Sequence, residues 1–106
     1  MIVERISFQA KYGRGDDLVN LMKAFAKDVA PKVGANGAAM KRVYTDHTGP
    51  MFTVQAEIEY ADLQAYTEST VSESGQYGSA AFQEWFGKMV ECTERGERQL
   101  LNLEVL

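Results

Sequence analysis

Met51-Phe52-Thr53-Val54-Gln55-Ala56-Glu57-Ile58-Glu59-Tyr60 alternates an apolar set (Phe52, Val54, Ala56, Ile58) with a polar set (Thr53, Gln55, Glu57, Glu59). A repeat of two turns successive side chains to opposite faces, so the stretch reads as a strand with one buried and one polar side. Just before it, Asp46-His47-Thr48-Gly49-Pro50 supplies the turn residues of a hairpin, whose first strand is 38–45. Residues 1–10 form an earlier strand that closes at the Gly13-Arg14-Gly15 turn. Asp16 and Asp17 follow, where a helix N-terminus favours negative charge. Leu18, Leu21, Met22, Phe25 and Val29 then recur at helical spacing until Pro31 and Gly34 stop the helix, and Asn36-Gly37 punctuates the loop.

Beyond the alternating strand, Asp62-Leu63 opens a short helical stretch with Leu63 and Tyr66 three residues apart. The polar, glycine-containing segment 72–78 interrupts it, with a composition that suits either a lid or a plain connection. Ser79 is the expected N-cap of a stronger helix that presents Phe82, Trp85, Phe86, Met89, Val90 and Thr93 on one face and stops at Gly96. Residues 99–106 are expected as the last strand, with Leu101, Leu103 and Val105 on one side. The order strand, helix, strand, strand, helix, strand predicts a ferredoxin-like α+β sandwich with an antiparallel sheet, one domain over residues 1–106.

A net charge of −4 and the absence of a basic patch interleaved with aromatics argue against nucleic acid as a partner. No apolar run approaches the roughly 20 residues that span a bilayer. The chain enters a strand at once, without a secretory pattern, and its lone Cys92 excludes an intrachain disulfide; both lead to the expectation of a cytoplasmic protein. Cys92 follows an apolar helix face closely and is expected as a buried thiol. In this topology both helices cover one sheet face. The other is left with Thr53, Gln55, Glu57 and Glu59, beside a last strand that keeps leucines on both sides. A small domain hides such a face most economically by pairing two sheets face to face, so a homodimer is expected.

Met1-Ile2-Val3-Glu4 entering a strand, the turn at Gly13, the Asp62-Leu63 helix start and the Phe82-Gln83-Glu84-Trp85-Phe86 helix together resemble the NIPSNAP family of the dimeric α+β barrel group. That group also holds antibiotic-biosynthesis monooxygenases. The resemblance runs along essentially the whole chain and implies the same fold and a dimer. It implies no particular reaction, because most NIPSNAP members have none assigned. Family openings place an arginine two residues before an aromatic on the first strand. In Glu4-Arg5-Ile6-Ser7-Phe8 the arginine stands one position early and turns to the opposite face, and the residue before Gly13 is Tyr12 rather than proline.

Barrel relatives that act as cofactor-independent monooxygenases hold a small aromatic substrate in a cavity and stabilise its anion with Asn, Tyr, Trp, His or Arg side chains. What the resemblance implies here is a short set of candidates. Arg5, Tyr44, Glu57 and Asn102 are the catalytic ones, and Arg42, His47 and Trp85 belong to a ligand pocket. Each also has a simpler reading. Trp85 at helical spacing with Phe82 and Met89 suits a core residue, and His47 suits a solvated turn. Arg5 faces Glu57 or Glu59 in a structural ion pair, and Tyr44 fills either a dimer interface or a pocket. Glu57 and Glu59 share a strand face and stand close enough to influence each other's protonation. No cofactor or metal is expected: Gly13 and Gly15 lack the third glycine of a dinucleotide loop, and His47 has no companion at ligand spacing. Two readings follow. One is a small dimeric barrel that binds a small molecule or a partner. The other is a cofactor-free monooxygenase or isomerase acting on an aromatic or polyketide-like substrate.

Overall fold

The computed structural model describes residues 1–29, 39–70 and 78–106. The helix stop at Pro31 and Gly34, the Asn36-Gly37 turn and nearly all of the 72–78 segment lie outside the described residues. The elements are β1 (Ile2–Ala10), α1 (Gly15–Ala24), a π-helical turn (Phe25–Val29), β2 (Ala39–Thr45), β3 (Thr53–Tyr60), α2 (Leu63–Thr70), α3 (Ala80–Cys92) and β4 (Thr93–Asn102). The strands form one antiparallel sheet in the order β2-β3-β1-β4. This is the expected ferredoxin-like α+β arrangement.

Register decides which side chains meet the helices. Phe8 stands opposite Val54, Ile6 opposite Ala56 and Glu4 opposite Ile58. This is the helix-facing side, because Val54 and Ala56 form the core with Ala10, Leu18, Met22, Met89 and Cys92. The alternate set, Arg5 opposite Glu57 and Ser7 opposite Gln55, lies on the open side. Leu18, Met22 and Phe25 of the first helical run are buried at spacings of four and three, and Asp16 and Asp17 occupy its first turn. At α3 the Ser79 hydroxyl accepts the Phe82 amide at 3.0 Å, which makes it the N-cap. Asp62 does the same for α2, accepting the Ala65 amide at 2.8 Å. Tyr66 of α2 packs edge-on against Tyr60 at 5.2 Å, while Leu63 is exposed. The apolar face expected on α3 is rotated: Phe82, Met89 and Cys92 are buried and Phe86 and Val90 are exposed. Cys92 is a free, buried thiol, as its position implied.

The structure corrects the end of the chain and the start of β3. Residue Gly96 does not stop α3. The helix ends at Cys92, and β4 begins directly at Thr93 and ends at Asn102, so Leu103 and Val105 lie beyond it. Gly96 sits inside β4 opposite Phe8, where an added Cβ would stand 2.7 Å from two atoms of the Phe8 ring. Glycine is there because the ring takes the space of a side chain. At the other correction, β3 starts at Thr53 because Phe52 has the left-handed φ of 62°. Its ring lies against Gly15 and edge-on to Tyr12, which holds a conformation that is unfavourable for an L-residue.

Two glycine substitutions therefore act in opposite directions. Gly96→Ala forces the Phe8 ring aside and is expected to destabilise the fold by about 1–3 kcal/mol. Gly87→Ala, on α3 with open space around it, is expected to stabilise by about 0.5–1 kcal/mol. Urea denaturation of the two variants measures both signs.

Candidate functional site

On the open sheet face Glu57 is the centre of a charged cluster. Its Oε2 accepts from Arg5 Nη2 at 2.9 Å and Arg5 Nε at 3.2 Å, and its Oε1 accepts from the Tyr44 hydroxyl at 2.9 Å. Arg42 Nη1 stands 3.5 Å from Glu57 and 3.4 Å from Glu59, so a guanidinium bridges the two carboxylates. Strand register produces this cluster, since Glu57 lies between Arg5 of β1 and Arg42 of β2. Hydrogen bonds from Arg5 lower the pKa of Glu57, with Tyr44 and the charges of Arg5 and Arg42 adding to the effect against the cost of burial. The same bond raises the pKa of Tyr44, because the ionised carboxylate disfavours a phenolate. The donors are thus matched to acceptors within one chain, which is the chemistry of a structural network and leaves Glu57 a poor proton acceptor at neutral pH.

The sequence candidates do not converge on a single cavity. Arg5, Arg42, Tyr44 and Glu57 come together on the open face. Asn102 stands apart, at the end of β4 opposite Ile2, in the helix-facing register. His47 is exposed in the hairpin. It lines a polar groove of about 470 Å³ on the open face with Ser7, Gln9, Tyr44, Arg95 and Glu97. Trp85 lies on the other side of the sheet, so no cavity runs from Trp85 to Tyr44 among the described residues. No group of His, Cys, Asp or Glu able to hold a metal ion occurs among the described residues.

The second concavity is a cleft of about 370 Å³ between the helices and the sheet. Rings line it: Phe8 from β1, Phe25 after α1, and Phe82, Trp85 and Phe86 from α3. Phe25 and Trp85 pack at 4.8 Å between centroids, and Phe82 stacks on Phe86 at 5.8 Å. The Trp85 indole N–H donates to the Leu21 carbonyl at 2.7 Å, which ties α3 to α1. Trp85 is therefore both a core residue and a cleft wall, presenting its ring to the cavity while its N–H is used inside the fold.

Sequence reasoning missed an ion pair, Glu4 with Arg98, of which Arg98 lines this cleft. Glu4 is almost wholly buried, and its Oε1 accepts from the Tyr60 hydroxyl at 3.3 Å. Arg98 lines the cleft, and its Nε stands 3.0 Å from Glu4 Oε2. That oxygen has no aligned hydrogen bond, so its contact with the guanidinium is ionic rather than directional. Burial raises the pKa of Glu4, opposed by the charge of Arg98 and by hydrogen bonds from Tyr60 and Tyr66. The available signal was Ile2-Val3-Glu4-Arg5-Ile6-Ser7-Phe8, in which Glu4 occupies the apolar register of Ile2, Ile6 and Phe8.

No protein-family model matches the chain, and no curated protein matches it in sequence. Solved structures do match it. An uncharacterised NIPSNAP domain protein from Burkholderia xenovorans superposes with a TM-score of 0.76 at 15% identity, covering 98% of this chain and 95% of its own. A NIPSNAP family protein from Agrobacterium tumefaciens gives 0.71 at 19% identity, covering 95% and 90%. The fold is that of NIPSNAP domain proteins. A protein from Nitrosomonas europaea, provisionally assigned as an antibiotic biosynthesis monooxygenase, gives 0.70 at 9% identity, covering 96% and 97%. At these identities the likeness is one of fold, and the side chains of the cleft must be read from this chain itself.

The Glu57 network yields a pH prediction. Its folded pKa is lowered, so its contribution to stability is present above the ordinary carboxylate range and is lost as pH falls through the folded value. Glu57→Gln is expected to destabilise by about 1–3 kcal/mol at pH 7. The gap between variant and parent should narrow below about pH 4. Urea titrations at several pH values measure that gap, in which the opposite trend of Glu4, common to both proteins, cancels.

Proposed function

We propose that this chain forms a homodimer through the open sheet face and binds a small, largely apolar molecule in the cleft between helices and sheet. The cleft carries the reading: it is concave, walled by five aromatic rings and bordered by the charged residues Glu97 and Arg98, the usual composition of a small-molecule site. The dimer is supported by the state of the open face. Its charges are paired within one protomer, so a second sheet can cover Glu57 and Arg5 without stranding either. A cytoplasmic setting is part of the proposal and is supported by the free thiol of Cys92. Among the described residues, no helix is long and apolar enough to cross a membrane.

The second reading, a cofactor-independent monooxygenase or isomerase, is favoured by the fold likeness to a provisionally assigned monooxygenase together with an aromatic-walled cleft. Its seat would be that cleft. Arg5, Tyr44 and Glu57 lie across the sheet from it, and their mutual satisfaction favours binding or structure over catalysis.

Native mass spectrometry of freshly purified protein tests both parts. The expected result is a mass of two chains carrying a discrete small-molecule increment. A monomer at micromolar concentration overturns the dimer. Gln55→Lys, which places an unmatched charge on the open face beside Ser7 and Tyr44, is expected to shift the population to monomers.

A further inference from the structure

Phe8 stands in a row of three residues on the helix-facing side of the sheet, between Val54 of β3 and Gly96 of β4. Val54 is buried in the core, so the β3 flank of the ring is filled. On the β4 flank the ring occupies the place of a side chain at position 96, where an added Cβ would stand 2.7 Å from ring atoms Cδ1 and Cε1. The ring therefore leans towards β4. Phe8 is only partly buried, and both it and Gly96 line the aromatic cleft. A side chain at position 96 would close the flank on which the ring rests. With Val54 on the other flank, the ring would have to rise into the cleft. At about 370 Å³ the cleft is near the lower end of the roughly 300–1,000 Å³ of small-molecule sites, so a ring raised into it removes a large share of the room.

We infer that Gly96 holds the cleft open by letting the Phe8 ring recline, and that this pair sets the size of the molecule the cleft accepts. The occupant that fits is a compact apolar molecule seated against the Phe8 ring. The inference rests on the cleft-binding reading and names the residues that determine its ligand size. It also gives the glycine a reason beyond packing. Glycine weakens the interior of a strand, and here it frees the space from which the cleft is made.

An uncharged dye, N-phenyl-1-naphthylamine, tests the pair without drawing on the charges of Glu97 and Arg98 at the cleft border. Trp85, the chain's single tryptophan, lies in the cleft wall and reports the dye by energy transfer. Gly96→Ala is expected to weaken the dye about tenfold or more. The double variant Phe8→Leu/Gly96→Ala replaces the ring by a smaller side chain and is expected to return to within about threefold of the parent. That rescue separates the steric contact from a loss of stability alone. Phe8→Leu by itself keeps the test decisive if Gly96→Ala fails to fold. It is expected to admit the bulkier neutral dye Nile red, which the parent binds about tenfold more weakly than the smaller dye. Four results each overturn the size assignment and leave the cleft reading standing: a folded Gly96→Ala that binds like the parent, a double variant that regains nothing, a Phe8→Leu that still excludes Nile red, or a parent that binds both dyes alike. If the parent binds neither dye, the cleft reading falls and the size assignment with it.

Discussion

The antiparallel pairing of β1 with β3 is the constraint on which everything else rests. Its register places Phe8 over Val54 and Ile6 over Ala56 on one side, and Arg5 against Glu57 on the other. A slip of one residue would exchange the two sets, putting the carboxylates of β3 under the helices and Val54 and Ala56 into water. The apolar side makes the helices dock, because Leu18, Met22, Met89 and Cys92 find their partners only there. Among the described residues the polar side has no helix to satisfy it, and it is stabilised by charge pairing between neighbouring strands.

That division explains how two unlike concavities arise on a chain this short. The groove on the open face is polar because its walls are the outward residues of the strands. The cleft on the other side is aromatic because α3 meets the sheet with Phe82 and Trp85, and the Trp85 bond to Leu21 fixes α3 against α1. Glu4 is the exception to the division, a carboxylate in the apolar register. Tyr60, Tyr66 and Arg98 accompany it from three different elements. A group that is unfavourable to bury and has partners recruited from so many places marks a position where something other than packing shapes the chain.

Much of this was legible in the sequence, for reasons that can be named. The alternation in β3, the hairpin residues after Thr45, the acidic start of α1 and the Ser79 cap are local signals, and the structure contains each of them. The last strand was misread because Thr93-Glu94-Arg95-Gly96-Glu97-Arg98 lies at an edge and is exposed along most of its length, so no alternation appears. Glycine there looked like a helix stop, whereas its cause is the Phe8 ring on a strand far away in sequence. The candidate site was less legible still. Arg5 meeting a β3 carboxylate followed from strand order, but the separation of Trp85 from Tyr44 depends on which face each one occupies. The absence of Asn102 from the Glu57 cluster depends on strand register, which composition does not encode. Arg98 stayed hidden because a strand over 99–106 begins just after it, whereas β4 begins at Thr93.

The two sheet edges carry a consequence of their own. β2 offers Lys41 and Arg42 along its length together with a register shift between Met40 and Arg42, and β4 offers Glu94, Arg95, Glu97 and Arg98. Charged side chains and an irregular ladder disfavour the addition of a further strand. Lateral growth into ribbons, the route by which sheet proteins become fibrils, is thereby disfavoured at both ends of the sheet. The proposed pairing through the broad face uses neither of these edges.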